Sequence, residues 1–171
     1  MNYGHIAYIS IGSNMGSRLE NCKNSLTSLA ESKTSIIRSI SPFYMTEPVD
    51  YINQDWFVNL VVKIETRLDP FRLLDKLKLI QGNAGRNHNA ERFGPRILDL
   101  DILIYDDIII NSPELIIPHP RMHKRRFVLK PICDIGPHIV HPVFKKDMQC
   151  LLDSLDDDGQ IVRELKEQDL I

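Results

Sequence analysis

The run Ile97 to Tyr105, ILDLDILIY, has a period of two: Leu98, Leu100, Ile102 and Ile104 fall on one face of a strand, Asp99 and Asp101 on the other. A strand with one wholly apolar face needs a covering layer. The chain has 171 residues, 43% hydrophobic and 26% charged, enough to build one such core. His5 to Ile11 reads as a buried strand ended by Gly12. Ser17-Arg18-Leu19-Glu20 then has capping-box spacing, opening a helix with Leu19, Cys22, Leu26, Leu29 and Ala30 on one face. Thr34 to Tyr44 and Phe57 to Ile64 (FVNLVVKI) read as two adjacent strands joined by a turn-prone stretch. Asp69-Pro70 sets an N-cap and a proline at the first helical position, ahead of a buried stripe that is either Phe71, Leu74, Leu77 and Ile80 or Leu73, Leu77 and Ile80.

Residues 82–96 carry glycine, asparagine and proline without apolar periodicity and read as a long loop, the kind of length that serves function. The order is therefore β-α-β-β-α-β, which predicts an α+β fold, a ferredoxin-like βαββαβ sandwich. An added C-terminal strand (108–111) and helices (122–132 and 148–155) read as extensions of the same layer. No composition shift divides the chain, so a single domain over 1–171 is expected.

Charge and cysteine content narrow the function. Lys and Arg number 21 against 23 Asp and Glu, a net charge of −2, which offers no broad cationic field for a nucleic acid. Cys22, Cys133 and Cys150 lack zinc or disulfide spacing and fit a reducing compartment; no apolar run reaches about 18 residues. The expectation is a cytoplasmic protein with no membrane and no nucleic-acid partner, working as a monomer.

Asp99 and Asp101, two apart on one strand face, bring two like charges together. A divalent cation between them, with hard oxygen ligands suiting Mg²⁺, relieves the repulsion; a solvated strand face is the alternative. Arg86, Arg92 and Arg96 precede the strand within eleven residues, fitting either a polyphosphate ligand or an ion-pair network with the carboxylates. Gly12-Ser13-Asn14-Met15-Gly16 is a phosphate-loop signal or a plain βα turn. Phe57, Asn59 on the same face, and Phe127 form an aromatic slot with an amide at its edge, or else belong to the core.

With these residues in view, AERFGPRILDLDILIY, AYISIGSNMG, FVN and IPHPRMHKRRFVLKP resemble the 6-hydroxymethyl-7,8-dihydropterin pyrophosphokinases, from about Ala7 to Val143. The resemblance implies transfer of pyrophosphate from ATP, as co-substrate, to the hydroxymethyl group of a reduced pterin, with two Mg²⁺ ions. It implies Asp99 and Asp101 as metal ligands, and Arg86 and Arg96 as loop arginines on the ATP phosphates, with Arg92 on the same loop. Phe57 and Phe127 match rings that sandwich the pterin, and Asn59, Thr46 and the backbone near Glu47 and Val49 match its edge-recognition groups. Gln81, Ile102, His119 and Arg125 match ATP-contacting positions. The chain departs from the commoner pattern at Gln81 (a usual glutamate), Phe93 (tryptophan), Glu47 (frequently proline) and Glu114 (arginine in some members).

Overall fold

The computed structural model describes residues 4–49, 52–85, 94–156, 160–166 and 169. In chain order these form β1 (His5–Ser13), α1 (Arg18–Ala30), β2 (Ser35–Ile40), β3 (Tyr44–Thr46), β4 (Phe57–Thr66), α2 (Pro70–Asn83) and β5 (Asp99–Tyr105). There follow β6 (Ile110–Asn111), β7 (Ile116–Ile117), a 3₁₀ turn (Met122–Lys124), α3 (Arg126–Ile135), α4 (Met148–Asp153) and β8 (Val162–Glu164).

The main sheet runs β5-β1-β4-β3-β8, with β2 also on β4, and its pairings are antiparallel. This is the expected ferredoxin-like arrangement, because each helix returns the chain to a strand two places away. Strand alternation gives the sheet two working faces. Ala7, Ile9, Ile11, Leu60, Val62, Leu100 and Ile102 pack with Cys22 and Leu29 of α1 and Leu73, Leu77 and Ile80 of α2. On the opposite face, Tyr8, Val61 and Leu103 meet Val128, Leu129 and Ile132 of α3 and Met148 and Leu151 of α4. That second layer covers only part of its face. The remainder, floored by Ser10, Gly12, Asn59, Asp99 and Asp101, stays open.

Several local expectations are corrected. Ser17 stands before α1 without a side-chain cap bond, whereas Asp69 does cap α2, its Oδ1 accepting from the N–H groups of Phe71 and Arg72 at 3.0 Å. The 34–44 strand is two strands, interrupted at 41–43 where Pro42 brings no donor to the ladder. Helix α2 continues through Gly82 to Asn83, so the loop begins later than expected. The 122–132 helix is split: Arg125 is extended (φ −117°, ψ 103°), separating the 3₁₀ turn from α3. The short strand near 108–111 joins β7 in a separate ribbon instead of widening the main sheet.

The largest correction concerns Ile104. Ile9 lies opposite Ile102 but Tyr8 lies opposite Ile104, so β5 holds one extra residue, Leu103, at a bulge. The parity of the strand flips there, and Ile104 packs with Leu103 under α3, away from the face of Leu100 and Ile102.

Candidate active site

The open half of the sheet holds two adjoining recesses. The narrower, about 60 Å³, is lined by Phe57, Asn59 and Gly12 on one side, Arg125, Phe127 and Val128 on the other, with Asp99, Asp101 and His119 at its end. The wider, about 240 Å³, is lined by Val49, Gln54, Gly94, Arg96, Arg121 and Arg125 around the same two aspartates and His119. Guanidinium groups and carboxylates thus share one recess, and an aromatic slot opens from it.

Each wall follows from the fold. Phe57 and Asn59 are two apart on β4 and face the α3 side by strand alternation. Asn59 Nδ2 donates to Thr46 Oγ1 at 2.7 Å, so Thr46 lies buried behind the amide and fixes its orientation. Gly12 is opposite Asn59 across β1 and β4, and a Cβ on Gly12 would stand 2.5 Å from Asn59 Oδ1. Only glycine leaves this amide its place. The extended backbone at Arg125 ends the 3₁₀ turn and starts α3, and the Arg125 guanidinium carbon lies 5.4 Å from the Phe127 ring centroid.

At the charged end, Arg96 Nη1 donates to Asp99 Oδ2 at 2.6 Å. The ion-pair alternative therefore holds for this pair, inside a cavity that also gathers Arg121 and Arg125. His119 Nδ1 accepts from the Arg121 N–H at 3.2 Å, which leaves the ring proton on Nε2. Burial, reinforced by Arg125 and Arg121, pushes His119 down to about 4, so its ring is neutral at pH 7.

The Gly12–Gly16 turn acts as a fastening. Asn14, 1% exposed, exchanges two bonds with Arg96, its N–H donating to Arg96 O at 3.0 Å and its Oδ1 accepting from Arg96 N at 2.6 Å. Its Nδ2 donates to Gln54 Oε1 and Asp55 O. Asn21 Nδ2 reaches Ser13 Oγ, Met15 O and Ile97 O. These bonds anchor the chain just before β5 and present Arg96 to Asp99.

Of the expected residues, Asp99, Asp101, Arg96, His119, Arg125, Val49, Phe57, Asn59 and Phe127 converge on the two recesses. Gln81 and Ile102 do not line them: Ile102 is buried on the α2 face, and Gln81, 4% exposed, accepts the Leu100 N–H on Oε1 at 2.9 Å. Glu47 bonds to the C-terminal segment. Arg86, Arg92 and Phe93 lie outside the described residues. Sequence reasoning misses Arg121, Gln54 and Gly94; Arg121 has a signal, as the first of three arginines in the basic stretch that begins two residues beyond His119.

Among the described residues no group of three or more His, Cys, Asp or Glu side chains gathers as a metal cage. Two half-buried carboxylates beside open volume nevertheless suit magnesium, which is held by one or two carboxylates and completes its shell with water and phosphate oxygens.

Fold and site together define an α+β domain in which an arginine- and carboxylate-lined recess adjoins an aromatic slot. The chain belongs to the 7,8-dihydro-6-hydroxymethylpterin-pyrophosphokinase family, whose model matches residues 8–137. It is 40% identical over 131 residues to the 2-amino-4-hydroxy-6-hydroxymethyldihydropteridine pyrophosphokinase of Bacillus subtilis, covering 77% of this chain and 78% of that one. It is also 40% identical over 154 residues to the folic acid synthesis protein fol1 of Schizosaccharomyces pombe, covering 90% of this chain but 21% of that protein. The fold matches the crystal structure of Plasmodium falciparum HPPK-DHPS wild type with pteroate at a TM-score of 0.70 and 18% identity, over 87% of this chain and 44% of that one. The chain thus spans about a fifth of the first of these larger proteins and under half of the second. Among the described residues no helix is long and apolar enough to cross a membrane.

Proposed function

We propose that this chain transfers pyrophosphate from ATP to the hydroxymethyl group of 6-hydroxymethyl-7,8-dihydropterin, releasing AMP and the pterin diphosphate, as a step of folate synthesis. One observation carries the reading: a single recess places Arg96, Arg121, Arg125, Asp99 and Asp101 at the mouth of the Phe57–Phe127 slot. Family membership and the relatives named above support it.

The pterin ring stacks between Phe57 and Phe127, and the Asn59 amide, held by Thr46, reads its polar edge. ATP lies with its phosphates against Arg96, Arg121 and Arg125, and His119, neutral, donates from Nε2 without adding charge. Arg86 and Arg92 join the phosphate set from outside the described residues. Asp99 and Asp101 would hold Mg²⁺, two ions in the complete site, and the bound metal would supply neutralisation of phosphate charge. The protein's share is positioning and electrostatics: Asn14 fixes the Arg96 backbone, Asn59 fixes the acceptor ring, and the slot aims the hydroxymethyl group at the arginine-lined recess. We place this activity in one domain over 1–171, acting as a cytoplasmic monomer.

The test is AMP formation from ATP and Mg²⁺ with and without the dihydropterin, following the pterin diphosphate by mass. Pterin-dependent AMP with matching product is expected; ADP, or AMP without pterin, overturns the reading. Asp99→Asn and Asp101→Asn should each lower the rate on the order of 100-fold or more while leaving the fold intact.

A further inference from the structure

Residues 160–165 lie beyond the segment matched by the family model, yet they bond to β3, one strand behind the β4 wall of the aromatic slot, and to the first residue of α3. On the β4 side, β8 pairs with β3, Val162 opposite Thr46 and Glu164 opposite Tyr44. Thr46 is in turn opposite Phe57 and accepts from Asn59. The pairing continues past the strand: Glu47 N–H donates to Ile161 O at 3.2 Å, and Ile161 N–H donates to Glu47 Oε2 at 3.2 Å. A proline at position 47 would lack the first donor and the second acceptor. On the α3 side, Arg126 N–H donates to Gln160 Oε1 at 3.2 Å, and Arg126 sits between Arg125 and Phe127, both of which line the slot. The far end of the segment is anchored by the bond from Leu165 N–H to Phe43 O at 2.8 Å and by the buried Leu165 side chain in the main core. The walls thus come from β4 and α3, distant in sequence, and one short segment is bonded to α3 and to β3, the strand that pairs with β4 directly behind its wall.

We propose that residues 160–165 form a strap that fixes the separation of the two slot walls, so that the C-terminal segment sets affinity for the planar substrate while the phosphate end works independently of it. The proposal rests on the reading of the slot as the pterin subsite. Gln160, Glu47 and the backbone at position 161 act here in positioning.

Steady-state kinetics on the full chain test it, with the KM for each substrate measured separately. Ile161→Pro removes the N–H donor to Glu47 and keeps the carbonyl that Glu47 uses; Gln160→Leu removes the acceptor for Arg126. Each should raise the KM for the dihydropterin about fivefold, the loss of one net hydrogen bond, with the KM for ATP and kcat unmoved. Ile161→Ala keeps the backbone donor and trims a side chain that is 49% exposed, and should restore wild-type values. An unchanged pterin KM, a parallel rise in both KM values, or an Ile161→Ala variant as impaired as Ile161→Pro overturns the strap. Should Ile161→Pro fail to fold, Gln160→Leu decides by the same readings. A wild-type chain that forms no pterin-dependent AMP overturns the pterin reading itself, and the strap with it, an outcome identified before any variant is made.

Discussion

Gly12 and Asn59 show how tightly an amide at the edge of the slot can depend on a missing carbon. Because a Cβ at position 12 would meet Asn59 Oδ1 at 2.5 Å, Gly12→Ala forces the amide off its bond to Thr46. We expect the KM for the dihydropterin to rise about fivefold in steady-state assays, the value of one buried hydrogen bond, with the KM for ATP unchanged. The aspartates are legible in the sequence alone, because two carboxylates two residues apart in an apolar strand must share a face. The contact beneath Asn59 is not, because it joins residues 47 positions apart through a register that no local pattern encodes. Gln81 shows the converse: a side chain matched to a nucleotide contact serves to satisfy a buried backbone donor on β5.

At the level of elements, the strongest local signals correspond to the best-formed structure. Asp69-Pro70 announces α2, and Asp69 caps it with two bonds to backbone N–H groups. Asp69→Ala should cost about 1 kcal/mol and lower Tm by roughly 3 °C in a calorimetric scan, with no change in either KM. The bulge at Leu103 cannot be read from ILDLDILIY, since Leu103 and Ile104 are equally apolar and either suits either face. Strand β8 escapes for a similar reason: Val162-Arg163-Glu164 has no apolar alternation, and only its backbone bonds to β3 make it a strand. The break at Arg125 opposes a helical pattern that otherwise continues, and it lies where the chain presents a guanidinium to the cavity. Local regularity yields to the site there.

For the whole molecule, two histidines make stability depend on acid. Burial pushes His119 and His141 down to about 4, the first helped by Arg125 and Arg121, the second by His123. His141 is 3% exposed and its Nδ1 accepts from the N–H groups of Val143 and Phe144. The unfolded chain protonates both rings near the ordinary value of 6.5, the folded chain only near 4. Between those limits the unfolded state binds more protons, so stability is complete above about pH 6.5 and falls as the pH drops toward 4. Urea titrations across this window should show the midpoint falling with acid. His141→Gln should reduce the slope by up to ~1.4 kcal/mol per pH unit, one proton's worth.

The bonds along β5 also bear on how these molecules behave in a crowd. β5 is an edge of the main sheet, and an apolar edge strand with free backbone groups is a template for adding another chain. Here Gln81 Oε1 occupies the Leu100 N–H, and the His119 N–H occupies Leu103 O at 2.8 Å. Two of the groups that a foreign strand would need are thereby taken up by the protein itself, and Asp99 and Asp101 add charge to the same strand. The strand that carries the two aspartates thus has part of its outer edge already occupied by the protein's own side chain and loop, which narrows the room for a foreign strand to pair there.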